Sequence, residues 1–229
     1  FITREKYDEE NDAVYTVEFP HLLRLIEEVQ FDTIYHEHYS YLSLLAVETV
    51  FARHGLRVFD VEELPTHGGS LRVFACLKGA SHREGPGLAR VRADEKAARL
   101  GSAEGYAGFA EKVEAVRDGL LDFLRNAKAQ GKRVAGYGAA AKGNTLLNYC
   151  RIGPDLVEYC VDRNPAKQNT LLPGSRIPVF DVEELRRRRP DFVLILPWNL
   201  KAEVIRQLSD LRAGGTRFVT AVPSISVTA

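Results

Sequence analysis

The sequence contains no methionine, not even at its first position, and is therefore expected to be a piece of a longer protein. Cysteine is scarce. Cys76, Cys150 and Cys160 stand far apart, which excludes a disulfide framework, and no C-x-x-C pair offers half of a zinc site. A reducing compartment fits this usage. No run approaches the roughly eighteen apolar residues of a membrane span, and the opening "FITREKYDEENDAV" has no apolar signal core. A soluble, cytoplasmic protein with no membrane partner is expected. Net charge is missing too: lysine plus arginine equal aspartate plus glutamate at 31 each, which removes the bulk electrostatic reason to expect nucleic acid as partner. A phosphate ligand would have to be held by local groups. Internal repeats are absent, and the charge run "RRRR" before Pro190 reads as a solvated helix end.

What is present suffices for a core. With 229 residues, 45% of them hydrophobic, the chain is long enough for one large or two smaller domains. "YTVEFPHLLRLIEEVQ" reads as a short strand followed by an amphipathic stretch, with Leu22, Leu25 and Ile26 at helical spacing. "SLLAVETVFARHGL" predicts a helix ending at Gly55. "RVFDVEEL" predicts a strand, and "SLRVFACLKG", alternating Leu71, Val73 and Ala75, predicts another, with "THGG" as the turn between them. Gly79, Gly85, Pro86 and Gly87 mark a break. From Ser102, the recurrence of Tyr106, Phe109, Val113, Val116, Leu120 and Phe123 predicts one long connecting helix to Gln130, capped by Gly131. The remainder, from "KRVAGYG" to "RFVTAVP", alternates strands and helices, the order of a parallel sheet with helices on its faces.

"GYGAAAKGNTLLNY" is the most legible motif of that half. A strand enters, Gly136 and Gly138 turn the chain, and Ala141 takes the third place of G-x-G-x-x-G/A at a helix start, where backbone N–H groups can face an anion. Asp162 ends the next strand, where a ribose-binding acid falls in a dinucleotide fold. Two readings stand: an NAD-type site, or a doubly wound sheet whose glycines only allow a tight turn. Lys142 adds a positive charge where a phosphate would sit. The spacing of a P-loop is absent.

A second concentration of chemistry is "FDTIYHEHYSYLSL". His36 and His38 form an H-x-H pair, but no third and fourth metal ligand stands at recognisable spacing, and no metal is expected. The segment can also be aromatic core with a satisfied histidine. A third reading is general-base chemistry, since histidine titrates near neutrality and a neighbouring carboxylate or phenol can orient it.

Taken in order, "VEFPHLL", "FDTIYHEHYSYLSL", "VFDVEELPTHGGSLRV", "GYGAAAKGNTLLNY", "VDRNPAKQ", "PGSRIPV" and "LILPWNLKAEV" resemble the S-adenosylmethionine-dependent sugar C-methyltransferases over roughly residues 15–224. The resemblance implies enzymes that act on keto deoxysugars carried by a nucleoside diphosphate. These have an N-terminal zinc-binding domain, a central methyltransferase domain and a C-terminal Rossmann-like domain. It assigns residues 1–80 to the C-terminal part of the methyltransferase domain, 81–130 to a connecting helical segment and 131–229 to the Rossmann-like domain, a doubly wound parallel-sheet α/β fold preceded by a partial α/β methyltransferase segment. No glycine-rich strand–turn–helix precedes residue 15, so this piece is not expected to bind S-adenosylmethionine by itself.

The same resemblance implies residue roles. His38 is the base that removes a proton next to the sugar ketone, with Tyr35 and Glu37 binding the sugar, orienting the histidine or stabilising the enolate, and His36 structural. Glu18 and His21 line the cleft. Gly68 and Gly69 let the backbone approach a ligand, while Ser70 and Arg72 offer a hydroxyl and a bidentate fork to a phosphate; a plain hairpin turn is the alternative. Gly136, Tyr137, Gly138, Lys142, Asn144 and Asp162 hold the nucleoside diphosphate end instead of NAD. Trp198 and Asn199 lie at the carboxyl edge of the sheet, although a lone tryptophan is more often a packing residue.

Overall fold

A computed structural model describes residues 2–5, as backbone, and 12–228. Phe1, residues 6–11 and Ala229, which belong to the expected first and last domains, lie outside the described residues. The chain forms two compact units. One runs up to Glu28 and resumes over Tyr39–Phe109; the other joins Val29–His38 to the chain from Ala110 onward. The histidine-bearing segment is thus part of the second unit, although chain of the first flanks it on both sides.

The first unit comprises β1 (Ile2–Glu5), β2 (Val14–Pro20), α1 (Leu22–Glu27), α2 (Leu44–Arg53), β3 (Leu56–Leu64), β4 (Ser70–Leu77) and α3 (Pro86–Ala97). Its sheet, in the order β1-β2-β4-β3, is antiparallel throughout. The alternation in β4 works as expected: Leu71, Val73 and Ala75 are fully buried, and the first two share one core with Phe19, Val58 and Val61. Helix α2 adds Leu44 and Val47, and Ser43 caps it by accepting from the Ala46 N–H at 3.1 Å. Helix α3 adds Leu88 and Val91. The glycines around Pro86 were expected only to break the chain, but Pro86 starts this helix at a position where its missing N–H costs nothing.

The second unit opens with α4 (Phe109–Ala129), which buries Val113, Val116, Leu120 and Leu124. The helix expected from Ser102 begins later. Residues Ala103–Tyr106 form a separate tight turn, and Gly108 takes φ 76°, which breaks the helical path. Its end is as expected: Gly131 is left-handed, and the N–H groups of Gly131 and Lys132 reach the carbonyls of Lys128 and Ala127 at 2.9 Å each. Then follow β5 (Val134–Tyr137), α5 (Ala141–Tyr149), β6 (Cys160–Val161), β7 (Thr170–Leu171), β8 (Pro178–Phe180), α6 (Glu183–Arg188), β9 (Phe192–Ile195), α7 (Lys201–Gln207), α8 (Ser209–Ala213), β10 (Arg217–Thr220) and β11 (Ser226–Thr228).

The seven strands lie in the order β11-β10-β9-β5-β6-β8-β7. All neighbours from β10 to β8 are parallel, and only the edge strands β11 and β7 are antiparallel. Strands β5 and β9 are buried along their whole length, as a sheet covered on both faces requires. The parallel strands, counted along the chain, lie third-second-first-fourth-fifth. This is a doubly wound, Rossmann-like order whose reversal falls between β5 and β9. No described helix is long and apolar enough to cross a membrane.

At that reversal Gly138 has φ 92°, and a Cβ there would stand 2.6 Å from Pro197 Cδ. Gly138→Ala is expected to cost about 1–3 kcal/mol from backbone strain, before any clash is counted. Gly131→Ala, also left-handed but in open space, should cost about 1 kcal/mol. Urea unfolding followed by the emission of Trp198, the sole tryptophan, would measure both. Equal costs would deny the close packing of Gly138 on Pro197.

Candidate functional site

The segment between α1 and α2 begins with a single tight turn, Phe31–Thr33, closed by the Thr33 hydroxyl donating to the Gln30 carbonyl at 2.7 Å. A second turn brings the His38 N–H to the Tyr35 carbonyl at 2.9 Å. Together they place His38 Nδ1 2.8 Å from the Thr33 carbonyl oxygen. A carbonyl only accepts, so Nδ1 carries the proton, and in the neutral ring the basic lone pair is on Nε2. The Tyr35 ring lies against the His38 imidazole, with centroids 4.3 Å apart. His36 differs: its side chain is 86% exposed, and its closest ionic neighbour is the exposed Glu37 at 4.0 Å. Among the described residues no group of three or more histidine, cysteine, aspartate or glutamate side chains is placed to hold a metal ion.

Within the first turn of this segment lies a residue that the sequence reading passed over. Asp32 is fully buried, and its Oδ2 accepts the indole N–H of Trp198 at 2.7 Å. Its Oδ1 is buried without a hydrogen-bond partner. Lys142, on the first turn of α5, stands 4.5 Å over the Trp198 ring and donates to Asn199 Oδ1 at 2.9 Å. Burial pushes the Asp32 carboxyl up to about 6, against the pull of the Trp198 N–H and the Lys142 cation. Burial likewise lowers Lys142, and Asp32 partly restores it. The structure therefore brings Lys142, Trp198 and Asn199 together, while Asn144, two residues further along α5, keeps a buried Oδ1 without partner.

The glycine-rich turn has the expected strand–turn–helix form, but its anion-facing amide is occupied. Asp162 Oδ2 accepts the Ala139 N–H at 2.7 Å, and Oδ1 accepts that of Asn164 at 2.8 Å. Lys167 donates to the Ala139 carbonyl at 2.7 Å. The acid that would take ribose hydroxyls is thus spent on the loop itself, and its Oδ2 is paired with the Lys167 ammonium at 3.7 Å. The turn does not fit NAD or S-adenosylmethionine. The close helix–strand approach falls to Gly143, where a Cβ would stand 2.8 Å from Leu196 Cβ. Beside the turn, at the carboxyl ends of β5 and β9, a cleft of about 230 Å³ is lined by Tyr137, Gly138, Asp162, Arg163, Pro197 and Glu203, and the Tyr137 hydroxyl donates to Gln207 at 3.1 Å.

In the first unit the expected site residues are held by one another. Arg72 forks onto Glu18, with its NH2 nitrogen 3.0 Å from Oε2, and reaches Glu62 at 3.4 Å. The Ser70 hydroxyl is buried and donates to the Thr66 carbonyl at 3.1 Å. Gly68 and Gly69 both take positive φ in the turn. His21 is buried, its Nε2 2.8 Å from Glu95 Oε1. That carboxylate also accepts the N–H groups of Leu44 and Leu45, at 2.6 and 2.9 Å, and so completes the N-terminus of α2. Glu95 was missed because its partners lie some 50 and 74 residues away in sequence. Asp32 was missed although the clue was present: a carboxylate between Phe31 and Ile34 needs a donor when buried.

The Asp32 value of about 6 exceeds the ordinary 3.8 of an unfolded chain. The folded state holds the extra proton between about pH 4 and pH 6, so this group makes stability fall as pH rises through that window. Asp32→Asn removes the effect. Relative to the parent, the variant is expected to gain about 2–3 kcal/mol between pH 4 and pH 7. Urea titrations across that range would test it, and a constant difference would deny that Asp32 ionises in a buried place.

Comparison with known proteins agrees with this architecture. A family model described as the C-methyltransferase C-terminal domain matches residues 65–223. The chain is also 41% identical over 212 residues to C-methyltransferase NovU of Streptomyces niveus, an alignment covering 93% of this chain and 50% of that protein. The chain spans about half the length of the curated relative it matches. With the family match extending over most of its length and through the whole of the Rossmann-like sheet up to β10, the chain belongs to the C-methyltransferase C-terminal domain family.

Proposed function

We propose that the chain is part of an S-adenosylmethionine-dependent methyltransferase that methylates a carbon of a nucleoside-diphosphate keto-deoxysugar, and that it supplies the proton-removing base. The observation that carries this reading is the hydrogen bond from His38 Nδ1 to the Thr33 carbonyl. It sets the tautomer in which Nε2 accepts a proton, and the same bond stabilises the imidazolium that forms. A carbon next to a ketone becomes nucleophilic once its proton is gone, and the developing enolate oxygen needs a donor. Tyr35, whose ring packs on His38, is the residue assigned that task, and Glu37 binds sugar hydroxyls. Support for a C-methyltransferase comes from the named relative. No step with the methyl donor is assigned to these residues, because the glycine-rich turn does not fit it.

In the first unit the reading assigns Arg72 a phosphate contact, while His21 and Ser70, buried on Glu95 and on the Thr66 carbonyl, support the structure around it. Lys142, Trp198 and Asn199 serve the nucleoside diphosphate end, with Lys142 as the charge and Trp198 as the flat surface. Gly136, Tyr137, Gly138 and Asn144 shape that end, and Asp162 acts only by holding the loop through the Ala139 and Asn164 N–H groups.

Two measurements test the reading. In the full-length enzyme, His38→Asn should lower turnover by about two to four orders of magnitude while substrate still binds. Exchange of the substrate's acidic carbon-bound proton with deuterated water, followed without methyl donor, should vanish in that variant and persist in His36→Asn. Loss of exchange in the His36 variant alone would move the base to the other histidine. Separately, calorimetry with a deoxythymidine diphosphate sugar should show Lys142→Ala weakening binding by about 1.5–3 kcal/mol. Unchanged affinity would remove Lys142 from the ligand site.

A further inference from the structure

The side chain that fixes the position of the base segment lies outside the base itself. Val29–His38 groups with the Rossmann-like unit. Phe31 contributes a ring contact to Tyr149 of α5, with centroids 5.1 Å apart. Asp32 contributes a polar tie to the sheet end, from its fully buried carboxylate to the indole of Trp198 at 2.7 Å. Trp198 is itself well placed to anchor something. It follows Pro197, which is packed on the Gly138 turn, and it is covered by Lys142, which is bound to Asn199. Thr33, the next residue after Asp32, presents the carbonyl that orients His38. Displacing Asp32 therefore displaces the group that sets the tautomer of the base.

A carboxylate is an expensive anchor. One of its oxygens stays without a partner, and an apolar residue at the same place would avoid that cost. What an apolar residue cannot supply is a directional bond to the indole N–H. We propose that Asp32 is a positioning residue: through its hydrogen bond to Trp198 it holds the Thr33 carbonyl, and so His38, in register with the carboxyl edge of the sheet. This rests on His38 being the base. Asp32 touches no reacting atom. Its contribution is geometric, and an isosteric amide that still accepts from the indole should replace it.

The experiment uses the full-length enzyme and the same carbon-bound proton exchange, with kcat and KM determined for Asp32→Ala, Asp32→Asn, Trp198→Phe, the Asp32→Ala/Trp198→Phe pair and His38→Asn. Asp32→Ala should lower the exchange kcat about tenfold to a hundredfold, the worth of a misplacement near 1 Å, with KM within about threefold. Asp32→Asn should recover the parent kcat to within about threefold. Trp198→Phe should lower kcat like Asp32→Ala, and the pair should be no worse than the poorer single variant, since both remove one bond. In Asp32→Ala the pH dependence should keep the inflection of the base while its plateau falls. An Asp32→Ala enzyme at the parent kcat, with His38→Asn inactive, would overturn the positioning role alone; an Asp32→Asn variant no better than Asp32→Ala would overturn the hydrogen bond as its cause. Exchange surviving in His38→Asn would overturn the base assignment instead. Should Asp32→Ala not fold, Trp198→Phe at the parent kcat decides against the proposal.

Discussion

Parallel strands that are neighbours in space but run outward in opposite topological directions leave a gap where their following loops part. In the second unit that place is the boundary between β5 and β9, and most of what is chemically notable nearby follows from how it is filled. Gly138 turns sharply so that Pro197 can pack against it. Trp198 comes next in the chain and is thereby placed at the edge, where Lys142 from α5 covers its ring. The position of the indole N–H is thus a product of sheet topology, and a residue far away in sequence, Asp32, uses it.

Two buried acids show how differently a fold can satisfy such groups. Glu95 receives two backbone N–H groups and a histidine nitrogen, so both oxygens are engaged and the charge is shared with a helix N-terminus. Asp32 has the indole N–H on one oxygen, and although the Lys142 charge and nearby backbone N–H groups also favour its ionised form, burial still raises it to about 6. The first is a structural node: its loss would strip α2 of two N-terminal partners and orphan His21. The second retains a cost that better packing could have removed. Such a residual is more often found where a group serves geometry or chemistry than where it serves stability alone.

Much of the fold was legible because its signals are local. The alternation of Leu71, Val73 and Ala75 needs only period two, and the turn at Gly136 and Gly138 needs only two glycines after an apolar run. Errors came where local signals compete. Pro86 among glycines reads as a break, yet proline is also a favoured first residue of a helix. The apolar spacing before Phe109 looked continuous with α4 until Gly105 and Gly108 interrupted it. Strands of two or three residues, such as β6, β7 and β8, carry too few side chains to show a period. At the site, the cluster itself was visible, but the residue types in "YHEH" do not separate His38 from His36; only the family resemblance did. The fold of Phe31–His38 adds that one ring meets a carbonyl and the other stays at the surface. Asp32 with Trp198, 166 positions apart, has no sequence signature as a pair.

The excursion of Val29–His38 into the second unit means that the chain passes between the units three times: after Glu28, after His38 and near Phe109. Sequence boundaries do not follow these crossings. The family match begins at Pro65, between β3 and β4, which are paired along their whole length in one sheet. Recombination between relatives at that boundary would join half of one hairpin to half of another while leaving the histidine segment behind with the wrong parent. A chimaera that keeps each hydrophobic core and each buried acid with its own partners has to exchange residues 29–38 together with everything from Ala110 onward. In this chain the exchangeable unit is therefore a discontinuous one.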